Sequence, residues 1–175
     1  DALQIPYVIV EASHAGKRAD GPWALGHEAA EAAIRRADAI LVPNPEDEEC
    51  ILPLLADPDR LVTMPPFLDL EPYQSAAIDR IRNRQRLARM HDIDPYQVWL
   101  LKVAMMRPGD KLASYRILSS ELARASHLPW HLIVVGDGPE RATIEALLGT
   151  IGPNRVTFAG ALPESALPDY YAASD

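Results

Sequence analysis

Cysteine is nearly absent: the 175 residues contain only Cys50. That excludes an intrachain disulfide and a cysteine-rich zinc site, and it fits a reducing compartment. Cys50 follows a run of acids, a setting that does not favour a thiolate, so it reads as a small apolar packing residue. Long apolar runs are also missing. Such runs as there are, for example residues 130–135 and 39–42, fall far short of the roughly 20 residues that cross a bilayer. Positive charge is scarce: 17 Lys and Arg face 25 Asp and Glu, a net charge of -8. No broad field for a polyanion follows, which disfavours duplex nucleic acid and an anionic membrane surface, though two or three local bases could hold one small anion. The chain opens on Asp-Ala-Leu-Gln with neither a start methionine nor a basic leader. It is therefore expected to carry no targeting signal, to look cut at its start, and to belong in the cytoplasm.

Apolar residues, at 48%, suffice for a real core. Short runs rich in branched residues, at 7–10, 39–42 and 60–64, alternate with segments rich in Ala and Glu. The spacing predicts a helix over 27–37 and a short one from 45 that ends near the turn at 57–59. The prolines of 64–72 remove backbone donors and mark a domain boundary. Residues 74–91 read as one solvated linking helix, with Arg80, Arg82, Arg84, Arg86 and Arg89 spread round its barrel. Three further pairs follow: strands at 98–104, 131–135 and 155–159, and helices at 110–126, 139–148 and 163–173. Leu112, Tyr115, Leu118 and Leu122 recur at helical spacing as a buried stripe. The alternation predicts an α/β protein with parallel sheets and helices on their faces.

In such sheets ligands bind beyond the carboxyl ends of the strands. After the strand at 98–104 stand Arg107 and Lys111, a guanidinium fork and a point charge suited to a phosphate group. After the strand at 131–135 comes Gly136-Asp137-Gly138-Pro139. Its glycines permit a tight turn, and Pro139 can open the next helix. Arg141 stands where a dinucleotide fingerprint needs its third glycine, and no phosphate loop ending in Gly-Lys-Ser/Thr is present. A nicotinamide-dependent oxidoreductase is disfavoured accordingly. His14 follows the first strand and is placed to project from the carboxyl edge of its sheet. His27 with Glu28, and His127 with His131, lack the spacing of a zinc helix, so no metal site is expected.

Taken in order, these motifs resemble the retaining glycosyltransferases of family 4. His14, Glu28, Ala37-Asp38 and a proline-bearing linker ending at Asp69 match the close of that family's N-terminal domain. Arg107, Lys111, Gly136-Asp137-Gly138-Pro139, Val156-Thr157-Phe158-Ala159-Gly160 and Tyr171-Ala172-Ala173-Ser174-Asp175 match the opening of its donor domain. Met106 and Leu112 replace two of the family's usual glycines, and the linker keeps only the proline and the aspartate of Pro-Asn-Gly-Val-Asp. The resemblance implies the GT-B fold, with parts of two Rossmann-like domains: residues 1–70 on the acceptor side, a linking helix over 71–95, and the first half of a donor domain over 96–175. It further implies a metal-independent enzyme with no cofactor, using a nucleotide-sugar donor of UDP or GDP type. The acceptor would be a sugar or lipid-linked molecule, with peripheral membrane contact possible in the full-length protein. Arg107 and Lys111 would bind the donor diphosphate, Gly136, Asp137, Gly138, Gly160 and Leu162 would lie on the donor-loop or nucleobase side, and His14 would be catalytic. A pair of donor-binding glutamates is expected past Asp175, so turnover by this polypeptide alone is not expected. The alternatives are another GT-B enzyme, such as a sugar-nucleotide epimerase, or a non-catalytic α/β binding module.

Overall fold

The computed structural model describes residues 5–10, 12, 14–16 and 19–175. The chain divides into two compact units, Asp1–Leu68 and Asp69–Asp175.

The first unit is a parallel sheet in the order β1 (Val8–Val10), β2 (Ala39–Val42), β3 (Leu61–Thr63). Helix α1 (Ala24–Arg36) connects the first two strands and α2 (Pro45–Ile51) opens the second connection. Ile34, Ala37, Ile40, Val42 and Ile51 form the core, with Ile9 and Leu61 packed against it. Ala37 is fully buried and Asp38 turns the chain into β2. The Asp38 carboxylate accepts the Tyr7 N–H at 2.8 Å, and the Asp38 N–H donates to the Tyr7 carbonyl at 3.0 Å. The Ala-Asp pair thus anchors the entry to β1. Val8, Val10 and Val62, on alternate positions, stay exposed.

The second unit holds a parallel sheet in the order β4 (Val98–Val103), β5 (Trp130–Val135), β6 (Val156–Gly160). Every residue of β5 is buried, and its period-2 alternation serves two cores. Trp130, Leu132 and Val134 pack with Tyr115 and Leu122 of α5 (Asp110–Arg124) and Ile144 and Leu148 of α6 (Arg141–Gly149). Ile133 and Val135 pack with Leu87 of α4 (Arg80–His91) and Tyr170 and Ala173 of α7 (Leu167–Ala173). Helices on both faces explain why these strands are nearly continuous apolar runs.

Two helix expectations change. The segment at 74–91 is not one helix but two, α3 (Glu71–Ile78) and α4, broken at Asp79. The Asn83 side chain is buried and donates to the Ala76 carbonyl at 3.2 Å, satisfying a carbonyl at the end of α3. Nor is the pair a solvated link: α3 and α4 pack on α7. Arg80 donates to the carbonyls of Ala172 and Ser174, and Arg84 to that of Ala173, so the arginines cap α7. Helix α6 likewise starts at Arg141, two residues after Pro139.

Candidate functional site

The carboxyl ends of β4, β5 and β6 are tied together through their backbones. The Ala104 N–H donates to the Val135 carbonyl at 3.0 Å, Met106 to Asp137 at 2.9 Å, Glu140 back to Met106 at 2.9 Å, and Gly136 to Gly160 at 2.8 Å. The Arg141 N–H closes a turn onto the Gly138 carbonyl at 3.1 Å, and the first helical bond runs from the Ile144 N–H to the Glu140 carbonyl at 2.9 Å, so α6 starts at Arg141 and not at Pro139. Gly136 has φ 134° and Gly138 φ 153°. A Cβ on Gly136 would sit 2.0 Å from the Ala104 carbonyl oxygen, and one on Gly138 would sit 2.3 Å from that of Met106. Only glycine lets the two loops approach so closely.

Met106, in place of the family's glycine, is fully buried in the core beside Tyr115 and Val134. With that side chain turned inward, the next residue, Arg107, is exposed. Gly109, at φ 79°, caps α5, and Lys111 lies half-buried in its first turn. Among the described residues neither Arg107 nor Lys111 forms an ion pair. Two cations without partners stand at the start of a 15-residue helix, whose first-turn N–H groups have no intrahelical acceptor. That combination suits an anion.

Asp137 behaves differently. Its carboxylate accepts the Gly138 N–H at 2.7 Å and pairs with Arg141 Nη1 at 3.2 Å. Arg141 Nε also donates to Glu145 at 2.7 Å, a bond that, with the nearby charges of Glu145 and Asp137, holds the guanidinium protonated above its ordinary range. Gly160 turns at φ 76° beside Arg141. Leu162 is half-buried against the core that contains Tyr170. Arg141 was visible in the sequence only as a missing glycine. Its i,i+4 spacing from Asp137 and to Glu145 was the signal that could have found it.

In the first unit, the His14 side chain is 10% exposed and its Nε2 lies 3.9 Å from a Glu31 carboxylate oxygen. Its ring stacks on His27 at 3.8 Å. Nε2 is buried without a hydrogen-bond partner among the described residues. Glu31 is held below its ordinary range, first by its hydrogen bond from Arg35 and then by the charge of Arg35, with His14 and His27 contributing less. The His14 N–H reaches Cys50 Sγ at 3.3 Å, and Cys50 donates to the Asp47 carbonyl, a packing role for the thiol. His27 and Glu31 lie one helical turn apart on α1, a local spacing that does not by itself point to His14. At the carboxyl ends of β1–β3 opens an apolar cavity of ≈ 380 Å³, lined by Val10, Val42, Pro43, Met64 and Phe67 among others.

Among the described residues no group of three or more His, Cys, Asp or Glu is arranged to hold a metal ion. No described helix is long and apolar enough to cross a membrane.

No family model matches the chain, and no curated protein matches it. Solved structures do. Anabaena HepE in complex with UDP-glucose is similar with a TM-score of 0.68 and 16% identity, over 97% of this chain and 45% of that one. A glycosyltransferase from Rickettsia africae is similar at 0.65 and 13%, over 83% and 39%. The α,α-trehalose 6-phosphate synthase of Burkholderia multivorans is similar at 0.63 and 12%, over 86% and 45%. The chain spans less than half the length of each of these. At such identities the likeness is one of fold. The chain has an α/β fold of GT-B type, parts of two Rossmann-like domains with parallel sheets.

Proposed function

We propose that the chain is part of a glycosyltransferase that moves a sugar from a nucleotide-sugar donor to an acceptor, of the retaining family 4 type. Residues 96–175 would belong to the donor domain, joined by the helices of 71–95 that pack on it, and 1–70 to the acceptor side. The reading rests on one observation above the others: among the described residues neither Arg107, on the loop whose backbone is locked to the Gly-Asp-Gly turn, nor Lys111, in the first turn of α5, has an ion-pair partner. Negative charge grows on the nucleoside diphosphate as it leaves the sugar. Fixed cations and helix N–H groups lower the energy of that charge more than they lower that of the ground state. With side chains meeting the charge, neither a metal nor a cofactor is needed. Gly136, Asp137, Gly138, Gly160 and Leu162 would form the donor-loop or nucleobase side, and His14 would serve the sugar or the acceptor. The acceptor would be a sugar or a lipid-linked molecule.

Calorimetry with UDP and GDP tests this without requiring turnover from a chain shorter than half its structural relatives. The chain is expected to bind one of the two. Arg107→Ala and Lys111→Ala should each weaken binding by about tenfold or more, as loss of a charge-assisted phosphate contact does. A folded chain that binds neither nucleotide, or binds them equally well in both variants, overturns the reading.

A further inference from the structure

The two turns assigned to the donor-loop or nucleobase side share the Arg141 guanidinium. Arg141 opens α6, and its Nη1 lies 3.9 Å from where a Cβ on Gly160 would stand. Its Nε donates to Glu145 at 2.7 Å and its Nη1 to Asp137 at 3.2 Å, while the side chain is 35% exposed. A guanidinium has five N–H donors in a rigid fork. Here two are engaged, and Nη2 has no acceptor among the described residues.

One guanidinium and two carboxylates sum to a net negative cluster, so Arg141 is poorly suited to a further diphosphate contact. Its remaining donors suit a neutral acceptor. Resting on the nucleotide-sugar reading above, we infer that Arg141 selects the donor's base, its free N–H edge donating to an exocyclic carbonyl of uracil or guanine. Adenine carries an amino group where guanine carries that oxygen, setting donor against donor, and a site built around a hydrogen bond rejects a ligand that cannot make it. The two carboxylates hold the fork in place, so little freedom is lost on binding.

Titrations of UDP, GDP and ADP into the native chain, Arg141→Ala and Arg141→Lys test the assignment, with circular dichroism as a check on folding. The native chain should prefer UDP or GDP over ADP by about tenfold to a hundredfold, the range of one hydrogen bond to a charged group. In Arg141→Ala that preference should vanish while ADP binding hardly changes. Arg141→Lys keeps a charge beside both carboxylates, yet should lose most of the preference because an ammonium offers no planar fork. Equal weakening of all three nucleotides makes Arg141 a support for the turn and overturns the inference. Equal affinities in the native chain overturn it while leaving the nucleotide reading intact, and binding of none of the three removes both.

Discussion

Gly136 and Gly138 show how little room the donor-side turn leaves. A methyl group would press on the Ala104 carbonyl oxygen at Gly136 or on the Met106 carbonyl oxygen at Gly138, in a conformation L side chains rarely adopt. Gly136→Ala or Gly138→Ala should therefore cost about 3 kcal/mol or more. Gly149, in open space at the end of α6, provides the contrast. Gly149→Ala should be neutral or stabilise by up to ~1 kcal/mol, since alanine is the better helix former. Urea unfolding followed by tryptophan fluorescence separates the two outcomes. The glycines themselves could be read as a turn from the sequence. The atoms that require them, the carbonyls of Ala104 and Met106, lie about 30 residues away and become visible only when β4 and β5 pair.

Among the elements, the arginines of α4 divide by what they meet. Arg84 reaches the carbonyls of Pro95, Gln97 and Ala173, pairs with Asp175 at 3.0 Å and lies over the Trp99 ring at 4.6 Å. Arg84→Met should cost about 2–3 kcal/mol, because several carbonyls lose a donor at once. The exposed Arg82 should change stability by no more than ~0.5 kcal/mol on mutation to alanine. Both values can be read from denaturant midpoints. Sequence shows five arginines alike, and only the approach of α7 to α4 distinguishes the cap from the surface.

The same packing sets a pH response. His91 Nε2 lies 2.8 Å from the Tyr170 hydroxyl, joining α4 to α7. The buried His131 on β5 lies 2.8 Å from Thr157 on β6. Burial pushes both imidazoles below the ordinary histidine value, with the Arg86 charge adding to it at His91 and the His91 charge at His131. The unfolded chain then binds more protons than the folded one, so the stability is fully present above about pH 6.5 and is lost as pH falls from there toward the folded values. Thermal melts at pH 7.5 and pH 5.5 should show a lower midpoint in acid. His131→Gln should reduce that difference.

For the whole molecule, two units with separate cores and a proline-rich segment between β3 and α3 predict independent behaviour under proteolysis. Phe67 is 85% exposed, and mild chymotrypsin should cut after it first, leaving a fragment that still carries Arg107, Lys111 and Arg141. If that fragment binds nucleotide as the intact chain does, the donor site is confined to the second unit. The sequence by itself determined the α/β class, most strand positions and the order of the motifs, because helix and strand periodicities and turn residues are local signals that survive without a fold around them. Tertiary structure alone decided that Asp79 breaks a helix, that Met106 turns inward and leaves Arg107 outside, that His14 stacks on His27, and that Arg141 lies between two turns. The i,i+4 partners of Arg141 are local, but its approach to Gly160 and the other placements form only when strands pair or helices dock, and a contact of that kind leaves no periodic trace in the residues that make it.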